Sequence, residues 1–151
     1  MARIDGKLNL LQQSDFFGRC TRRELELILR TIDCVTVLPG ELISSPDEHG
    51  GVFVVVLNGS LVAANGDQRR VIRRGDTWGA EALLARVRSD ERLTAVEASQ
   101  VAIAGPREFA ALHLAAPGFA KAVSTQLARE LVTSRSPRPR SVALRGLPAL
   151  G

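Results

Sequence analysis

The sequence predicts an α+β fold that is mainly β: an antiparallel β jelly roll, or double-stranded β-helix, flanked by N-terminal helices and two C-terminal helices. Three observations predict it. Between residues 33 and 104, short apolar or alternating runs are separated by Pro-Gly, Asn-Gly and Gly-Asp turns, with no helical crossover. On either side of that segment the apolar period changes to that of a helix. At 151 residues the chain is long enough for one sizeable core and too short for two.

The elements follow in order. Leu8, Leu11, Phe16 and Phe17 in "LNLLQQSDFF" fit a short helix over 8–17 with one docking face. In "TRRELELILRTI", Thr21 as N-cap and Glu24 three residues later form a capping-box pattern. Leu25, Ile28, Leu29 and Ile32 then fall on one helical stripe. "CVTVLPGELI" reads as strand, Pro-Gly turn, strand. Val52–Leu57 is apolar throughout, as a strand buried on both faces should be. Asn58-Gly59 and Asn65-Gly66 each read as the turn of a β-hairpin. "LTAVEASQVAIAG" supplies two more strands around a turn near Ala98–Gln100. Pro106 suits the first turn of a helix carrying Phe109 and Leu112. A longer helix over 117–133 places Phe119, Val123, Leu127 and Leu131 four apart, one apolar edge. The folded domain is therefore expected at 1–133. Residues 134–151, rich in Ser, Pro, Gly and Arg, read as a disordered basic tail or linker.

Charge and chemistry-bearing residues exclude several functions. The net charge of +4 equals the contribution of Arg135, Arg138, Arg140 and Arg145, which lie beyond the domain. The folded part is neutral overall, so charge alone does not make it a nucleic-acid surface. Cys20, Cys34, His49 and His113 are too few and scattered for a zinc site, and the cysteines read as reduced thiols of a cytoplasmic protein. No run approaches the ~20 apolar residues of a membrane span, and the N-terminus lacks the apolar stretch of a secretory signal. A nucleophile elbow, a Walker-type loop and a metal-ligand cluster are all missing. Asp90 and Glu91 lie on a charged loop, where neighbouring carboxylates are commonplace. An enzyme is not expected.

In that order, "LPGELI", "VFVVVLNGSLVA", "RRGDTWGAEALL" and "RLTAVEA" resemble the cyclic nucleotide-binding domain family, the catabolite-activator-like effector domain, over about residues 8–133. The resemblance implies a ligand cassette in residues 75–96, where a short helix offers backbone N–H groups to a cyclic phosphate. Its implied ligand-binding residues are Gly79, Ala80, Glu81 and Ala82 on the helix side, with Arg92, Leu93 and Thr94 on the strand side. Trp78 matches the family Phe and Gly79 the Gly. The ribose-binding Glu position falls on Ala80, with Glu81 one residue late. Arg92 falls on the phosphate-binding Arg, and the Ser/Thr position on Leu93, with Thr94 one residue late. Such an offset turns a helical side chain by roughly 100° and flips a strand side chain to the other face. Trp78 reads as core, and Arg86 and Arg88 as solvated loop charges.

The function so implied is a non-catalytic regulatory module that senses cyclic AMP, cyclic GMP or a related small anion and signals through the C-terminal helix. No cofactor besides such a ligand is expected. The alternative is a degenerate, nucleotide-independent domain serving dimerisation or protein interaction. Implied partners are a second copy packed on the 117–133 helix, or a linked or separate effector domain. Sequence-specific DNA binding by this chain alone is not expected, because a helix-turn-helix domain needs on the order of 60 residues beyond that helix.

Overall fold

A computed structural model describes residues 2–46 and 51–134. Beyond Ser134, the disordered tail expected over 134–151 lies outside the described residues, as does His49. Helices α1 (Ala2–Gln13) and α2 (Arg22–Thr31) precede the strands β1 (Asp33–Val37), β2 (Leu42–Ser44), β3 (Phe53–Asn58), β4 (Ser60–Asn65), β5 (Gln68–Arg73) and β6 (Thr77–Trp78). A short helix α3 (Ala80–Ala85) separates these from β7 (Arg92–Ala95) and β8 (Ser99–Ala104), and α4 (Pro106–Ala115) and α5 (Pro117–Ser134) follow. The strands form two antiparallel four-stranded sheets, ordered β1-β8-β3-β6 and β2-β7-β4-β5. This is the expected jelly roll with its flanking helices.

Period-2 alternation in β3 joins two cores. Val54 and Val56 point between the sheets with Leu61, Ala63, Leu93 and Val101. Phe53, Val55 and Leu57 point the other way, into a layer built with α1, α2, α4 and α5. There Phe53 lies 5.0 Å from Phe109, 5.7 Å from Phe119 and 5.6 Å from Phe16, by ring centroids. One strand residue thus collects aromatic side chains from the N-terminal segment and both C-terminal helices.

Two expectations are corrected. The helix read at 8–17 starts earlier and stops at Gln13; Phe17 opens a separate 3-10 turn, Phe17–Arg19. A Ser14 N–H bond back to the Leu11 carbonyl (3.0 Å) tightens the helix end. Asn58-Gly59 is not a hairpin turn, because β3 pairs with β6 and β8 whereas β4 pairs with β5 and β7. The turn instead carries the chain from one sheet to the other. Gly59, at φ +97°, passes so close to Ser99 that a Cβ would collide with its hydroxyl. That hydroxyl in turn accepts the Ser60 N–H (3.0 Å). Asn65-Gly66 does close a hairpin, with Asn65 opposite Gln68.

The capping box forms as the sequence indicates. Thr21 Oγ1 accepts the Glu24 N–H (3.1 Å), and Glu24 Oε1 accepts the Thr21 N–H (2.8 Å). Glu24 does more than cap: its Oε2 accepts the Gly118 N–H (2.8 Å), tying α2 to the first turn of α5. The bonds from Gly118 and from Thr21 hold the Glu24 carboxyl below the usual glutamate range. A depressed acid stabilises the fold fully above its unfolded value, about pH 4.3, and that gain is lost as pH falls through the lower folded value. Glu24→Gln is therefore expected to lose stability at neutral pH and to flatten the acid limb below about pH 4.3. Urea midpoints measured across that limb check this.

Along α5, Phe119 and Val123 are fully buried in the domain's own core, while Leu131 and Val132 are 58% and 67% exposed. The apolar edge read from the sequence is thus used internally over its first half. Among the described residues no helix is long and apolar enough to cross a membrane. Both cysteines are free thiols, and burial, then the nearby Glu24 charge, pushes Cys20 up to about 11.

Candidate ligand cassette

The segment between β5 and β7 is built by three backbone devices. The Gly75-Asp76 turn is pinned to β3 by Gly75 N–H to the Val56 carbonyl (2.9 Å) and Val56 N–H to the Asp76 carbonyl (3.0 Å). Gly79 then opens α3 at φ +102°, with its α-carbon pressed on β3: an added Cβ would strike the Val52 carbonyl oxygen. A backbone oxygen cannot swing aside, and positive φ is itself costly for an L-residue. Gly79→Ala is expected to lower stability by about 2–4 kcal/mol, the range for combined overpacking and a disallowed backbone. A chemical-denaturation comparison with Gly66→Ala, where the Cβ meets nothing, isolates the collision from the backbone effect. Arg86 closes α3 in the left-handed region, at φ +60°, the one non-glycine residue of positive φ among those described.

Gly79, Ala82, Leu83 and Arg86 fall at i, i+3, i+4 and i+7, one stripe of α3. This stripe lines a cavity of about 300 Å³ whose far walls are Ser44, Ser45, Gly51, Val52, Trp78, Val87 and Pro106, with Arg88 and Ser89 beside it. The size falls at the small end of ligand cavities. Its lining combines apolar residues with two arginines and three serines.

The loop that follows, residues 86–91, is fastened to the sheets by Glu91. Trp78 Nε1 donates to Glu91 Oε1 (2.8 Å). Arg70 grips the same carboxylate with two donors, Nη2 to Oε1 (3.0 Å) and Nε to Oε2 (3.1 Å), a charged bidentate pair. Burial opposes the charged form of Glu91, but the bonds from Arg70 and Trp78 and the Arg70 charge outweigh it and hold the carboxyl below the usual range. Asn65 Nδ2 adds a bond to Asp90 (3.0 Å), and Glu91 N–H one to Ser89 Oγ (3.1 Å). The two ends of the cassette, β6 and β7, are thereby locked together.

Strand register decides where each strand-side residue faces. Ala63 pairs with both Arg70 and Leu93, so these three share the face between the sheets. Leu93 is fully buried there. One residue on, Ala64 pairs with Arg92 and Arg69, which share the outer face. Arg92 is exposed, and Thr94, on the same outer face, is half-buried. On the helix side, Gly79 and Ala82 line the cavity, Ala80 is buried in the helical layer, and Glu81 is exposed. The structure therefore gathers Gly79 and Ala82 at the cavity and sets Glu81, Arg92, Leu93 and Thr94 elsewhere. Arg86 and Arg88, read from sequence as solvated loop charges, are exposed and also line the cavity.

Arg70 escaped the sequence reading altogether. Counting back from the Asn65-Gly66 hairpin would have found it, since Asn65 opposite Gln68 places Ala63 opposite Arg70. Its surroundings are acidic: besides Glu91, the charges of Glu130 on α5 and Glu81 on α3 bear on it. Burial, and then the negative charge of Glu81, raises Glu130 above the usual range. Among the described residues Glu91 alone is bonded to Arg70, and the charges of Glu130 and Glu81 act on it through space.

Solved structures share this architecture. The catabolite activator protein of Thermus thermophilus is similar over 80% of this chain and 60% of its own, at 22% identity and a TM-score of 0.66. The sensor domain of the transcriptional regulator DNR from Pseudomonas aeruginosa is similar over 87% of this chain and 95% of its own, at 18% identity and a TM-score of 0.65. The chain has the cyclic nucleotide-binding-domain fold. A third structure of this fold, the regulatory subunit of a cAMP-independent protein kinase A from Trypanosoma cruzi bound to guanosine, matches 85% of this chain at 19% identity and a TM-score of 0.67. The chain spans 46% of that subunit and under two thirds of the catabolite activator, but nearly all of the DNR sensor domain. No protein-family model and no curated protein matches the sequence.

Proposed function

We propose that this chain is a non-catalytic, cytoplasmic regulatory domain. It takes up a cyclic nucleotide, cAMP or cGMP, or a related small organic anion in the cavity beside α3, and it signals occupancy through α5. The observation that carries this reading is the lining of that cavity: an apolar body for a base or ring, with Arg86, Arg88 and three serines for an anionic group. Guanidinium groups bind phosphate oxygens through paired donors, which suits them to a cyclic phosphodiester. Transmission is supported by the direct packing of α3, which lines the cavity, against α5. A ligand that shifts α3 therefore biases how α5 docks. Calorimetric titration of the chain with cAMP and with cGMP tests the proposal. Saturable heat with at least one of them is expected, and no heat with either at millimolar concentration would overturn the cyclic-nucleotide reading.

A second reading, a nucleotide-independent interaction or dimerisation module, is favoured by Ala80 and Leu93. Both are buried and apolar where the resemblance implies a ribose-binding acid and a phosphate-binding hydroxyl. The exposed Leu131 and Val132 at the end of α5 would then form the contact. A monomer at all concentrations in sedimentation would contradict the dimer.

A further inference from the structure

A second groove, of about 480 Å³, runs between α3 and α4. Phe109, itself buried, is among the residues that line it, and Leu84 and Leu114 stand along it with 45% and 87% of their surface exposed. Arg86, Arg107 and His113 also line it, and no acidic side chain does so among the described residues. Large apolar side chains left this exposed beside one another mark a contact surface and not a solvated face. We propose that this groove is the docking site for an acidic amphipathic helix of a partner protein.

The chemistry of the lining selects that occupant. An apolar ridge on the incoming helix fills the floor between Leu84 and Leu114, in the manner of helix-in-groove recognition. Acidic residues flanking the ridge meet Arg86, Arg107 and His113. The same face of a second copy would bring like charges together, and this chain's own segment beyond Ser134, with four arginines and no acid, carries the wrong sign. The ten residues of α4 span about 15 Å, enough for roughly three turns of a partner helix. Leu83, Arg86 and Pro106 line both this groove and the cassette cavity, so α3 is the wall between them. Partner affinity is thereby linked to whatever occupies the cavity, although docking itself needs no ligand.

The test uses the full chain and two fluorescein-labelled three-turn peptides of identical leucine spacing, one with Glu and one with Lys at the flanking positions. Fluorescence anisotropy is expected to show saturable binding of the Glu peptide, at least about tenfold tighter than the Lys peptide and weakened by salt. Arg107→Glu and Leu114→Asp, both at surface positions, should each weaken it by about tenfold or more without changing the thermal melt. Equal binding of the two peptides, no binding of the Glu peptide at millimolar concentration, or indifference to both substitutions would overturn the proposal. Self-association abolished by Leu114→Asp would also overturn it, by assigning the groove to a second copy. Calorimetry with cyclic nucleotides has no bearing on these outcomes, so this proposal and the ligand-sensing proposal fail separately.

Discussion

Phe53→Ala is expected to destabilise the domain by about 3–5 kcal/mol, the range for deleting a fully buried phenylalanine whose cavity cannot collapse. Phe53 is 2% exposed, and its ring touches those of Phe16, Phe109 and Phe119. These neighbours come from the segment between α1 and α2, from α4 and from α5, so no single element can move in to fill the space. Phe53→Leu keeps most of the volume and should cost less than half as much. Urea unfolding of the two variants checks both magnitude and ratio. Equal, small losses would mean that the helices are not fastened to the sheets through this cluster.

Joint replacement of Arg86 and Arg88 by alanine is expected to weaken ligand binding by about 100-fold or more. Each charge-assisted contact to a phosphate is worth about 1.5–3 kcal/mol, and ~1.4 kcal/mol is a factor of ten. Arg86→Gly separates binding from folding. It removes the guanidinium and also relieves the left-handed backbone at φ +60°, so affinity should fall while stability holds or rises. Arg92→Ala should alter affinity far less, because Arg92 lies on the outer face beside Ala64 and Arg69. Isothermal titrations of the three variants rank the cations directly. A larger loss from Arg92→Ala than from the double variant would restore Arg92 as the phosphate ligand.

Much of the fold was legible because apolar periodicity and turn residues report local geometry. Thr21 and Glu24 marked the start of α2, Pro106 that of α4, and the unbroken apolar run from Val52 marked β3 as buried on both faces. What the residues could not report was which strands pair. Asn58-Gly59 has the composition of a hairpin turn, yet the requirement for positive φ is equally met by a crossing between sheets. The candidate site was less legible for the same reason. Whether Arg92 or Arg70 shares the face of Ala63 and Leu93 depends on a one-residue register, and a strand reverses its side chains at every step. Arg86 and Arg88 sit on an irregular loop whose path is set by Glu91 gripping Arg70 and Trp78, a contact between residues 13 to 21 positions apart. Pattern reading locates such a loop but not the direction its side chains take.

Amide chemical-shift mapping of the isotopically labelled chain titrated with cAMP and cGMP decides whether the cavity beside α3 takes up the nucleotide. The cavity beside α3 is expected to respond first, with shifts at Gly79, Ala82, Leu83, Arg86 and Ser89, joined by Ser44 and Val52 across it and by residues of α5 around Glu130. Shifts confined to the outer face at Arg69, Arg92 and Thr94, or no shifts at saturating ligand, would contradict it.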